Sequence, residues 1–207
     1  MFRDRRDAGE QLAKKLEKYR GTGAVLLALP RGGVVLASSI ARSLGLPLDI
    51  AIVRKIGHPG NPEYAAGAVD ENGTTLWNES AKAFIDPQWL KGETERQMNE
   101  AKRRSALYRA GKPALPLASK VVILIDDGAA TGLSMRLAVK VVEKQNPARV
   151  VVALPVAAED TAQSLSQEAD ELVMLEPPAE FLGAVGAHYD LFPQVEDEEV
   201  IELLRSR

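Results

Sequence analysis

Apolar positions in this chain switch repeatedly between helical and strand-like spacing, and the switches lay out its elements. Ala8, Leu12, Leu16 and Tyr19 recur at helical spacing within a charged segment, which predicts an amphipathic helix over residues 4–19, ended by Gly21 and Gly23. Residues 24–29 form a short apolar run that suits a strand, and residues 30–33 a turn. Residues 34–44 then read as a helix of apolar and small residues, and residues 48–56 as a second strand. A right-handed crossover in such a βαβ unit puts the turn around Arg31 at the C-terminal edge of a parallel sheet, where open α/β sheets bind ligands.

The remainder continues the pattern with one interruption. Gly-His-Pro-Gly-Asn-Pro-Glu-Tyr at 57–64 holds two prolines and two glycines and reads as an exposed, mobile loop. Residues 66–70 and 74–77 flank Glu71-Asn72-Gly73, a hairpin signal. Residues 87–110 read as a long charged helix with Pro87 in its first turn and Glu100 four residues before Arg104, followed by a proline-containing connector over 112–120. Strands are expected at 121–125, 149–155 and 171–175, and helices at 133–143, 159–168 and 196–204. Pro177-Pro178 breaks the pattern, and a stretch rich in Gly, Ala and aromatics follows at 181–189. The expected fold is α/β, a single domain over 1–207 with a mainly parallel central sheet flanked by helices and a β-hairpin.

Candidate chemistry concentrates at 121–132, Val-Val-Ile-Leu-Ile-Asp-Asp-Gly-Ala-Ala-Thr-Gly. A buried strand that runs into two carboxylates and a small-residue loop aims acids and bare amides at one pocket. The loop opens a helix N-terminus, where unpaired N–H groups and the dipole favour a phosphate. Asp126 and Asp127 suit sugar hydroxyls or a hydrated divalent cation, so the combination points to a ribose phosphate. Asp-Asp-Gly is also an ordinary turn, and Thr131 could serve as a helix cap. A Walker-type loop would need a Lys-Ser/Thr pair where Leu133 stands, and a dinucleotide fingerprint a third glycine beside Gly128 and Gly132.

Composition narrows the class. With 207 residues, 45% hydrophobic and 27% charged, the chain is long enough for one sizeable core. A net charge of −3 gives no general attraction to polyanions. The helix that carries Lys102, Arg103, Arg104 and Arg109 is interrupted by Glu93, Glu95 and Glu100 and lacks an aromatic platform, so it reads as a solvated helix face rather than a nucleic-acid site. Having no cysteine excludes disulfides, thiolate metal sites and a Cys nucleophile. The charged N-terminus has no following apolar run and no uncharged stretch approaches membrane length, so a cytoplasmic protein without a membrane partner is expected.

Residues 121–134 resemble the phosphoribosyl-pyrophosphate signature of the type I phosphoribosyltransferases. Leu-Pro-Arg-Gly-Gly at 29–33 is similar to a bacterial branch of that family known only by provisional names, and with this branch the resemblance covers nearly the whole chain. It implies Mg²⁺-dependent transfer of ribose 5-phosphate from phosphoribosyl pyrophosphate to a nitrogenous acceptor, for which a nucleobase is expected, with release of pyrophosphate. It also implies a hood, assigned approximately to 57–80 and 176–207, and, with the apolar first helix, a homodimer. Gly128, Ala129, Ala130, Thr131 and Gly132 would hold the 5-phosphate, and Asp126 and Asp127 the ribose hydroxyls. Pro30, Arg31, Gly32 and Gly33 would form the pyrophosphate loop. Arg54 and Lys55 end the second strand as a cationic pair at the same sheet edge, with Lys55 near the pyrophosphate, and His58 is the candidate acid or base. Mg²⁺ would be held mainly by the donor, with no direct protein ligand and a water-mediated link to Asp126 or Asp127. No motif names the acceptor. The rivals are a non-catalytic regulatory module that binds phosphoribosyl pyrophosphate or a nucleotide, and a phosphohydrolase that uses the acidic pair to bind metal.

Overall fold

The computed structural model describes residues 1–205, apart from the side chains of Pro62, Glu63 and Pro178; Ser206 and Arg207, which end the expected 176–207 hood segment, lie outside the described residues. Strands β1 (Val25–Ala28), β2 (Leu48–Ile50), β6 (Val121–Ile125), β7 (Arg149–Leu154) and β8 (Glu171–Met174) form a five-stranded sheet in the order β2-β1-β6-β7-β8. Every pairing in it is parallel. β1 is buried throughout and β6 nearly so, as expected of strands covered on both faces. Alternate residues serve opposite cores: Leu26, Ala28, Ile123 and Ile125 join one cluster, and Val25, Leu27, Val122 and Leu124 the other.

Helices α1 (Arg5–Lys15), α2 (Gly32–Leu44) and α7 (Asp197–Arg205) feed the first cluster, and α5 (Leu133–Glu143) and α6 (Glu159–Glu168) the second. Asp4 caps α1 by accepting from Asp7 N at 2.8 Å. The helix stops at Lys15, and the rest of the predicted 4–19 helix is a 3₁₀ turn at Glu17–Tyr19. Gly9 lets α1 lie close on α2, because a Cβ there would come within 2.8 Å of Leu36 O. Ala8, Leu12 and Ala13 are therefore spent inside the fold, and this apolar face does not argue for a dimer.

Two sequence expectations fail in the middle of the chain. The run 48–56 is not one strand: β2 ends at Ile50, and β3 (Val53–His58) belongs to a separate antiparallel sheet with β4 (Asn61–Asp70) and β5 (Thr75–Trp77). Apolar residues continue across the break, so the pattern carries no mark of the change of partner. Residues 57–64 are not an irregular loop either. β3 pairs with β4 as far as His58↔Asn61, and register shifts on either side of Gly57 absorb the awkward residues. The hairpin at 66–77 forms as read, with Gly67↔Trp77 and Val69↔Thr75 in register, and Asp70 Oδ1 accepting from Asn72 N and Thr74 N in the turn. A short helix α3 (Glu79–Lys82) leads into the long α4 (Pro87–Arg109), capped by Asp86 through Trp89 N at 2.8 Å.

Candidate active site

β1 and β6 are neighbours in register, Ala28 opposite Ile125, so the turns that follow them emerge side by side. Leu29 N donates to Ile125 O at 2.9 Å. Beyond that bond the two loops touch through glycine. A Cβ on Gly32 would collide with Asp127 Oδ2 and lie 2.7 Å from its Cγ, and one on Gly33 would lie 2.6 Å from Ile125 O and 3.0 Å from Asp126 Cα. Side chains at these positions would force the loops apart. The Pro30–Arg31 peptide is cis.

Asp126 Oδ1 accepts from Asp127 N at 2.9 Å. Burial pushes the Asp126 carboxyl well above the usual range, and the neighbouring Asp127 charge adds to the shift. Burial raises Asp127 as well, but here a cation opposes it: Arg5 Nε donates to Asp127 Oδ2 at 2.7 Å. Arg5 also donates from Nη1 to Pro193 O at 2.6 Å and lies 3.7 Å from the centre of the Phe192 ring. Tyr189 completes this corner, its hydroxyl donating to Asp127 O at 2.6 Å. Sequence reading missed Arg5 because no local motif marks it and its partner stands 122 residues away.

The loop after the acids is partly committed to the fold. Ala129 N donates to Val156 O at 3.1 Å, and Ala158 N donates to Ala129 O at 3.0 Å. Ala129 therefore drops out of the expected set of phosphate donors. Ala130 O accepts from Thr161 Oγ1 at 2.7 Å, while Ala130 and Thr131 are exposed. Gly132, at φ 67°, is the N-cap of α5, so Thr131 is not the cap, and no side chain caps that helix end by a hydrogen bond, although Thr161 packs against Gly132. No hydrogen bond within the described residues uses the N–H of Ala130, Thr131 or Gly132. These amides stand beside the acidic pair at an open helix N-terminus.

The expected cations are placed differently from one another. Arg31 Nη1 lies 3.0 Å from Glu196 Oε2 and 3.7 Å from Asp197 Oδ1. Asp197 in turn accepts from Tyr108 at 2.6 Å and from Arg103 at 3.2 Å, so α4 is not wholly a solvated face: its C-terminal half meets the tail beside the Arg31 turn. Arg54 and Lys55 do not share the parallel-sheet edge. They sit on β3, on opposite faces because strand side chains alternate, and Arg54 Nε donates to Gln97 on α4 at 3.0 Å. Burial and the nearby Arg104 charge lower the Arg54 guanidinium below its ordinary value. His58 closes the β3–β4 turn, Nδ1 accepting from Gly60 N at 3.1 Å, and is part of a hairpin rather than a free loop. His188 is buried in the tail between Glu176, 2.5 Å from Nδ1, and Leu182 N, which donates to Nε2.

A phosphoribosyl transferase domain model matches residues 4–190. The chain belongs to this family. This phosphoribosyl transferase domain is 44% identical to TT1426 from Thermus thermophilus, with a TM-score of 0.81 over 100% of this chain and 98% of that one. AQ2163 from Aquifex aeolicus shares the fold at 11% identity, with a TM-score of 0.51 over 81% of this chain and 70% of that one. Rv0571c and MT0597 from Mycobacterium tuberculosis strains H37Rv and CDC 1551, provisionally named phosphoribosyl transferases, are 38% identical over 206 residues, 99% of this chain and 46% of their own length. The chain thus spans about half the length of the curated relatives it matches. Among the described residues, no helix is long and apolar enough to cross a membrane.

Proposed function

We propose that this domain transfers ribose 5-phosphate from phosphoribosyl pyrophosphate to a nitrogenous acceptor, a nucleobase, and releases pyrophosphate. The observation that carries the reading is the contact of Gly32 with Asp127, which sets a cationic turn and an acidic loop side by side. The N–H groups of Ala130, Thr131 and Gly132 take the 5-phosphate, Asp126 and Asp127 accept from the ribose hydroxyls, and Arg31 faces the leaving pyrophosphate. Positive charge that develops on the ribose ring then lies beside two carboxylates, and no side chain acts as nucleophile. Tyr189, Phe192 and Pro193 cover the same corner and are the tail's contribution to a hood.

The site's donor set suits Mg²⁺ only in company with the substrate. Among the described residues no three His, Cys, Asp or Glu side chains converge as a metal site, and one acid of the pair is already engaged by Arg5. Two carboxylate oxygens fit an ion held chiefly by phosphate oxygens and water. Such an ion, when bound, would supply charge neutralisation to the leaving pyrophosphate.

The test is pyrophosphate release with donor and Mg²⁺ over a panel of nucleobases and other nitrogen acceptors. Acceptor-dependent release supports the transferase. Donor binding without release from any acceptor would favour the regulatory-module reading, to which the pairing of Arg31 with Glu196 lends support.

A further inference from the structure

We propose that Arg5, on the first turn of α1, is a positioning residue for the ribose-binding carboxylate of Asp127. The inference rests on the transferase reading and names a residue that no motif contains. The Arg5 side chain is 9% exposed and ties separate segments together: its Nε holds Asp127 Oδ2, its Nη1 holds Pro193 O, and its plane covers the Phe192 ring. Its Nε would lie 2.9 Å from a Cβ on Gly32, so it stands at the seam between the two ligand loops.

That arrangement answers a physical problem. A buried carboxylate with two free torsions tends both to protonate and to wander, and either change weakens its grip on a hydroxyl. Arg5 opposes both. The ion pair favours the charged form and fixes Oδ2 against Gly32, so the carboxylate beside Asp126 keeps one orientation in which to accept a charge-assisted hydrogen bond from the ribose. The planar fork is what allows simultaneous contact with Asp127, the Pro193 carbonyl and the Phe192 ring; a lysine ammonium could satisfy the charge but not the whole set. The C-terminal segment thereby sets the orientation of an acid that follows β6, although its own side chains need not touch the sugar.

The experiment measures affinity, in the presence of Mg²⁺, for phosphoribosyl pyrophosphate, ribose 5-phosphate and inorganic pyrophosphate. Wild type is compared with Arg5→Met, Arg5→Lys, Asp127→Asn and the Arg5→Met/Asp127→Asn double variant, with thermal unfolding followed for each. Arg5→Met is expected to weaken the donor and ribose 5-phosphate about 10- to 100-fold, the range for a lost charged hydrogen bond, while pyrophosphate affinity stays within about twofold. Arg5→Lys should recover part of the donor loss and keep the fold if the methionine variant unfolds. Adding Arg5→Met to Asp127→Asn should cost little more, since the acid it positions has gone. A merely structural arginine would lower all three affinities together. Unchanged donor affinity in Arg5→Met, parallel loss of pyrophosphate, or additivity in the double variant overturns the proposal. A wild type that binds no donor fails the transferase reading itself.

Discussion

At the scale of single residues, Gly32 and Gly33 decide how closely the two ligand loops approach. Gly32→Ala would drive a methyl into an Asp127 carboxylate that Arg5 prevents from moving aside. Such overpacking costs about 1–3 kcal/mol, so a lowered Tm and at least about tenfold weaker donor binding are expected from thermal unfolding and titration. Asp126 supplies a pH-dependent test. Burial raises its pKa in the folded state, so the stability linked to it is complete below the ordinary carboxylate range and is lost as pH climbs through the raised value. Asp126→Asn keeps the oxygen that accepts from Asp127 N and cannot ionise. In the ligand-free protein at pH 7 it should raise Tm, and the gap should close as pH falls into the ordinary carboxylate range, which thermal unfolding followed across pH checks. The acids and the small-residue loop were legible because their pattern is local. Arg5 was not, since only the packing of α1 delivers it to Asp127, and Ala129 looked like a donor because its bond to Val156 joins different loops.

At the scale of elements, the C-terminal segment holds the Arg31 turn in a closed arrangement. Glu196 engages Arg31, and Asp197 links that turn to Tyr108 and Arg103 on α4. Glu196 is 60% exposed, and such pairs contribute about 1 kcal/mol at most. Glu196→Gln should therefore raise pyrophosphate affinity by about two- to fivefold in a direct titration, with little change in Tm. A decrease would mean that the carboxylate helps bind the ligand. The misreadings at this scale share one cause. Leu48 to Ile56 keeps a strand-like apolar pattern while the chain leaves one sheet for another, and hydrophobic spacing records burial without recording the partner. Gly57, Gly60 and the neighbouring prolines looked incompatible with pairing, yet an irregular hairpin accommodates them. Arg54 and Lys55 were misplaced by the same break, because the end of the predicted 48–56 strand belongs to β3, where Arg54 is a neighbour of α4 and Lys55 lies on the opposite face.

At the scale of the whole molecule, the parallel sheet was legible because β1, β6 and β7 are short apolar runs between helical patterns, and right-handed crossovers leave few ways to assemble them. The closure of the chain on itself was not legible. Phe2 N donates to His188 O, Asp190 N to Phe2 O and Leu191 N to Arg3 O, so the first residues and the tail are sewn together above the acidic loop by main-chain bonds that leave no side-chain signature. This closure brings Arg5, Tyr189 and Phe192 over Asp127. The central claim is that the 5-phosphate, ribose and pyrophosphate of one donor lie across the paired loops, and calorimetry with phosphoribosyl pyrophosphate and Mg²⁺ tests it most directly. Saturable one-to-one binding by the wild type, weakened at least about tenfold in Asp126→Asn/Asp127→Asn while the variant stays folded, is the predicted result. No binding by the wild type, or equal binding by the double variant, would contradict it.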